Sequence, residues 1–144
     1  MISFIQEFYN NLVFFFQKLT RGFSDKELWD FDIQLAKYIL PRLKKLKENK
    51  IGYFDTLPSM DNRLFNDLEG EEYKIYESKL DKEQDEVFNK MLNAFQLITE
   101  FYGLDRLDDV ELSFEQKIEM HKRYMKEVKE GLQLFVDNYM GLWD

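Results

Sequence analysis

Residues 113–142, SFEQKIEMHKRYMKEVKEGLQLFVDNYMGL, carry the longest apolar pattern in the chain. Phe114, Ile118, His121, Met125, Val128, Leu132, Phe135, Tyr139 and Leu142 recur at alternating spacings of four and three, a heptad seam that lays one helical stripe against its neighbours. Ser113 and Gln116 have the spacing of a capping box, so the helix is expected to start near residue 114 and run to about 141, ending at Gly141. Gly131, in its interior, weakens it by roughly 1 kcal/mol relative to alanine unless another backbone packs closely there.

Upstream, Phe88, Met91, Phe95, Ile98 and Tyr102 repeat the spacing and stop at Gly103, a fitting residue just past a helix C-terminus. Tyr73, Tyr76 and Leu80 extend the pattern backwards, so this helix begins either at Asp81, with Gln84 as capping partner, or near residue 71 after Gly70. At the N-terminus Ile5, Phe8, Leu12, Phe15 and Leu19 form another seam. Phe4, Tyr9, Val13 and Phe16 widen it into a stripe expected to be buried on more than one side. Ser24 and Glu27 make the clearest capping box, opening a helix with Leu28, Leu35, Ile39, Leu43 and Leu46 on its apolar side, kinked at Pro41 and finished before Gly52. Residues 53–70 hold turn signals at Asp55, Pro58, Asp61, Asn62 and Gly70, with Leu64, Phe65 and Leu68 enough for a short helix.

Strand-like alternation, an Asn-Gly hairpin and long internal repeats are all absent from the sequence. The expected fold is all-α, an antiparallel helical bundle of about four long helices plus a short helix or loop insert. It forms a single helical domain over residues 1–144, with 53–80 as a variable insert.

Composition narrows the chemistry. A chain of 144 residues with 44% apolar and 33% charged residues is too greasy for disorder and long enough for one core. It contains no Cys, which removes disulfides, thiol nucleophiles and cysteine zinc sites, and its one His, His121, leaves little histidine catalysis. A net charge of −8 disfavours nonspecific binding to nucleic acid and to anionic membranes. Leu12 to Phe16 is apolar, but Gln6, Glu7, Asn10 and Asn11 interrupt the run well short of the roughly 18 residues a membrane span needs. The chain is therefore expected to be soluble and intracellular. The unusual feature is its aromatic content, 14 Phe, eight Tyr and two Trp, which suits a small dense core or an adhesive surface.

Asp32 and Arg42 fall on a second four-three series, residues 28, 32, 35, 39, 42 and 46, beside the apolar stripe of their helix. An unpaired charge buried there costs several kcal/mol, so each needs Arg21, the other, or a ligand as partner. His121 lies on the seam of the last helix, yet Lys117, Ile118, Tyr124 and Met125 occupy the positions where a metal site needs carboxylates. It reads as a core histidine or a ligand contact, with no metal and no cofactor expected. Asp105, Asp108, Asp109 and Glu111 do not match a calcium loop, and Asp81, Glu83, Asp85 and Glu86 read as a solvated face. Lys44, Lys45 and Lys47, with Lys122, Arg123, Lys126 and Lys129, form two basic faces that hold a phosphate if they converge on Arg42. No phosphate loop or nucleophile with a base is present, so the chain is not expected to be an enzyme.

The stretch RGFSDKELWDFD over residues 21–32, followed by Leu35-Ala36 and by Ile39-Leu40-Pro41-Arg42-Leu43-Lys44, is similar to a signature of small, uncharacterised proteins of tailed bacteriophages. EVFNKMLNAF over 86–95 resembles that family's third helix, and GLQLF over 131–135 with Leu142-Trp143-Asp144 resembles its terminus. The chain departs from the family after Gly52-Tyr53, where a longer insert follows and Gln84 stands in place of a Trp. The resemblance implies a phage-encoded protein in the host bacterial cytoplasm, or in the virion.

For the phage protein that the resemblance implies, a rigid helical frame with excess aromatics and no catalytic apparatus suits a non-enzymatic binding protein for counter-defence, which sequesters a host nucleotide signal or blocks a host protein. For a nucleotide, Arg21 and Arg42 are the expected phosphate contacts and Trp29 and Trp143 the stacking residues, with Asp32 and His121 at the same site. The alternative is a structural or virion-associated protein acting through an oligomeric helical interface. The wide stripe of residues 4–19 favours a homo-oligomer in either case.

Overall fold

The computed structural model describes residues 2–61, 63, 67–101 and 111–142. Their regular structure is entirely helical: α1 (Ile2–Arg21), α2 (Lys26–Trp29), α3 (Phe31–Asn49), α4 (Gly70–Phe101) and α5 (Phe114–Asp137), closed by a 3₁₀ turn over Tyr139–Gly141. The fold is an all-α helical bundle, as the periodicities predict. The chain divides into two compact units, Met1–Leu35 and Ala36–Asp144, with the boundary inside α3.

In the second unit α4 and α5 pack antiparallel, since Lys90 Nζ meets Glu130 Oε1 at 2.7 Å and Asn93 Nδ2 donates to Glu127 Oε2 at 2.9 Å. Each partner of the Lys90–Glu130 pair is shifted toward its charged form, the lysine upward and the glutamate downward, chiefly by their mutual hydrogen bond. Between these contacts the helices approach so closely that a Cβ on Gly131 would fall on the Lys90 carbonyl oxygen and the Ala94 methyl. The close backbone approach that excuses a mid-helix glycine is therefore present. Phe88, Met91, Phe95 and Ile98 are all buried, as their seam predicts, together with Leu80, Ala94 and Leu97. On α5 the seam residue Val128 is buried together with Gly131, and past the helix end the seam residue Leu142 is buried beside Asn138, whereas Leu132 and Phe135 are half-buried. The Ser113 capping box forms in both directions, with Ser113 N–H donating to Gln116 Oε1 at 2.9 Å and Gln116 N–H to Ser113 Oγ at 3.3 Å. The α-helix stops at Asp137 rather than 141, where the buried Asn138 turns its amide onto the Leu134 carbonyl.

Residues 53–61 pack into the core. Phe54 and Leu57 are core residues, and the Phe54 ring lies 5.1 Å from that of Phe88. Polar groups of α4 hold this segment at its backbone: Gln84 accepts from the Phe54 amide and donates to the Gly52 carbonyl, while Glu83 accepts from the Ser59 amide at 3.0 Å. Tyr76 Oη donates to the Ser59 carbonyl at 2.7 Å and accepts from the Asp61 amide at 2.9 Å. Thr56 Oγ1 donates to Asn138 Oδ1, and Lys50 Nζ to the Gly141 carbonyl at 2.8 Å. The acidic positions expected to be a solvated face thus include two, Asp81 and Glu83, that grip the segment. Residues 70–80 belong to α4 itself, which starts at Gly70 with φ +64°. The short helix expected around Leu64 and Phe65, the stop at Gly103 and the acidic link at 105–109 lie outside the described residues.

The helix opened by Ser24 is broken at Asp30, whose φ of −122° and ψ of 47° separate α2 from α3. Beyond the break α3 runs unbroken through Pro41. It buries Leu43 of the predicted stripe together with Ile33 and Ala36, leaves Ile39 and Leu46 half-buried and Leu35, like Leu28 on α2, exposed, and carries Asp32 and Arg42 exposed rather than set among core residues. Water solvates both charges, so neither needs a ligand as partner.

Gly131→Ala is expected to destabilise the protein by about 1–3 kcal/mol despite the better helix propensity of alanine, read as a lower urea midpoint. Gly141→Ala, whose Cβ would sit at an ordinary 3.6 Å from Phe54 Cδ1, serves as the tolerant control. A second expectation concerns Tyr53, whose hydroxyl donates to Asp81 Oδ1 at 2.6 Å. Burial first, then the Asp81 hydrogen bond, raise its pKa well above the ordinary 10.0. The unfolded phenol ionises near pH 10 while the folded one stays protonated. Its stabilisation is therefore complete below about pH 10 and is lost as pH rises toward the folded value. Tyr53→Phe should flatten the alkaline fall in unfolding free energy measured by urea titration.

Candidate functional site

In the first unit α1 ends on Gly22, whose φ of +82° lets its amide reach the Lys18 carbonyl at 3.0 Å. The chain then turns under a polar clamp. Gln17 donates to and accepts from Asp25, at 2.8 and 2.9 Å, Lys18 Nζ meets Glu27 Oε1 at 2.6 Å, and Arg21 pairs with Asp25. Ser24 is buried and its amide donates to Glu27 Oε2 at 2.8 Å, which is the backbone half of the expected capping box. The neighbouring Lys18, followed by the Ser24 amide, holds the Glu27 carboxyl below its ordinary pKa.

Apart from Ile33, no apolar side chain over residues 6–35 is buried. Over residues 6–21 the half-buried positions of α1 are Val13, Phe14 and Gln17. The seam Phe8, Leu12, Phe15 and Leu19 lies on a different face and is 45–66% exposed, with Tyr9 and Phe16 exposed beside it. Of the stripe expected to be buried on more than one side, Val13 is half-buried and Phe8, Tyr9, Leu12, Phe15, Phe16 and Leu19 are open, because α1 uses a mixed polar and apolar face for its own packing. A second apolar strip follows the turn: Leu28 and Trp29 on α2, then Phe31 and Leu35 one turn apart on α3, with Trp29 88% exposed. Apolar positions this dense on a surface mark interaction sites.

Of the residues singled out in the sequence, Arg21, Trp29 and Asp32 belong to the first unit and Arg42 and His121 to the second. Arg21 is engaged by Asp25, and its Nε donates to the Phe23 carbonyl at 3.2 Å with the guanidinium 4.9 Å from the Phe23 ring centre. Arg42 stacks 3.6 Å over the Tyr38 ring and donates to the Tyr38 carbonyl at 2.7 Å. Asp32 sits exposed in the first turn of α3. Trp143 lies outside the described residues. The strip at Leu28, Phe31 and Leu35 was hidden in the sequence because α3 carries two apolar series, and the one through Ile33, Ala36 and Leu43 goes inward.

The second unit offers open grooves. One of about 370 Å³ runs along α5 past His121, Lys122, Met125, Lys126 and Lys129, and His121 Nδ1 beside it is buried without a hydrogen-bond partner. Another, of about 510 Å³, is rimmed by Glu86, Lys90, Glu130 and Asp137 over the Thr56–Asn138 contact. Among the described residues no group of His, Asp or Glu is placed to hold a metal ion, and no helix is long and apolar enough to cross a membrane.

Fold and surface together define an all-α protein with an unpartnered apolar face on its N-terminal unit. Comparison with known proteins finds no matching family model, no matching curated protein and no matching solved structure. In a Trp143→Phe chain, where Trp29 is the remaining tryptophan, emission should be that of a water-exposed indole and acrylamide should quench it freely. A blue-shifted, protected emission would show the strip already covered.

Proposed function

We propose that this protein is a non-enzymatic binding protein that acts by covering a surface of a host protein with the strip Leu28, Trp29, Phe31 and Leu35. The exposure of Trp29 supports this reading, since tryptophan is the residue type most concentrated in binding hot spots and an unburied indole serves no packing role. The resemblance of residues 21–44 to the phage signature supports a phage origin and therefore a bacterial target, with counter-defence by blocking as the setting. The nucleotide-sequestering form draws less support, because Arg21 and Arg42 already have local partners. A structural or assembly role has one observation in its favour, the open seam of α1.

The test is affinity capture from a bacterial lysate by the intact chain, by Trp29→Ser/Phe31→Ser and by Arg42→Ala, with native mass spectrometry of each eluate. A stoichiometric host protein retained by the wild type and by Arg42→Ala, and lost by the double variant, is expected. Equal capture by the double variant overturns the assignment. A nucleotide-sized adduct lost in Arg42→Ala replaces it with sequestration.

A further inference from the structure

The α1 seam is a different surface from the Trp29 strip, and its chemistry specifies its own occupant. We propose that Phe8, Leu12, Phe15 and Leu19 pair antiparallel with the same seam of a second copy of this chain. The four residues keep strict four-three spacing on one face, which is the geometry that interlocks with another helix. Between Glu7 and Lys18 the helix bears no charged side chain, so two such faces meet without like-charge repulsion along the seam. Taking about 200 Å² for each large side chain, the exposed parts of Phe8, Tyr9, Leu12, Phe15, Phe16 and Leu19 hold on the order of 700 Å². That is close to the ~800 Å² per partner of a stable interface.

Orientation follows from the ends. Lys18 and Arg21 near the end of α1 are already paired with Glu27 and Asp25, so the helix dipoles decide the direction. A parallel pair would set the two dipoles side by side in the same sense, whereas an antiparallel pair opposes them. In that register Leu12 faces the partner's Phe15, Phe8 faces the partner's Leu19, and Tyr9 lies beside the partner's Phe16. Each contact occurs twice about the two-fold axis, which closes the assembly at two chains.

Light scattering of the full chain at micromolar concentration should give twice 17.6 kDa. Leu12→Lys/Phe15→Lys should return it to the single-chain mass with unchanged far-ultraviolet circular dichroism, since both positions are exposed. The chain has no cysteine, so Tyr9→Cys and Phe16→Cys report orientation directly: the mixture should cross-link on oxidation and neither variant alone. A monomeric wild type, or a dimer that survives the double substitution, overturns the pairing, and cross-linking of each variant with itself overturns its direction. A monomer that binds phosphatidylcholine vesicles through the same residues makes lipid the occupant and equally overturns it. None of these outcomes touches the Trp29 reading, which stands or falls on capture by its own variants.

Discussion

The contact of Gly131 with the Lys90 carbonyl and the Ala94 methyl sets the distance between α4 and α5, and much of the second unit depends on that distance. A glycine facing an alanine lets two backbones approach more closely than large side chains allow. The flanking Lys90–Glu130 and Asn93–Glu127 contacts then leave little freedom of register. Lys90 and Glu130 are each about half exposed, so the value of their pair lies in direction rather than energy, exposed pairs contributing about 0–1 kcal/mol. With the register set, Phe135 meets Phe95 edge-on at 5.1 Å and Asn138 comes beneath Thr56. The segment after α3 can then close over Phe88 with Phe54 buried.

That dependence explains which parts of the fold were legible. The α4 seam and the Ser113 cap were readable because each is a local statement about one helix, in which spacing alone decides the face. Gly131 was readable as a condition, since a mid-helix glycine asks for a close neighbour without naming it. The segment 53–61 was not, because its turn residues look like those of any surface loop. What fixes it is a set of side chains on a different helix, Tyr76, Glu83 and Gln84, whose spacing on α4 carries no mark of what they hold.

The stripe predicted for α3 holds at Leu43 and misses at Leu28 and Leu35, for another reason. Two apolar series run along it, one through Phe31, Leu35 and Tyr38 and one through Ile33, Ala36 and Leu43. Periodicity gives both a helical face without saying which is inward. The choice goes to the series with the small residue, Ala36, consistent with the preference for close packing seen at Gly131. Arg42 is then carried outward onto Tyr38, where stacking and a carbonyl replace the ligand a buried arginine would have needed.

The two units differ in what holds them. The second has a continuous apolar core, while the first has Ile33 and a polar clamp of Gln17, Lys18, Arg21, Asp25 and Glu27. Most of those groups are solvent-exposed, and such pairs orient a turn far better than they stabilise a fold. Thirty-five residues rarely bury enough surface to order themselves. A unit so built gains most from covering the apolar residues it leaves open, so α1 and the Trp29 strip are worth more to the protein in contact than bare. Exposed phenylalanines at heptad spacing cost solubility whenever they stay uncovered. Their concentration in one unit, with the clamp holding the turn between them, is the economy of a surface built to be occupied.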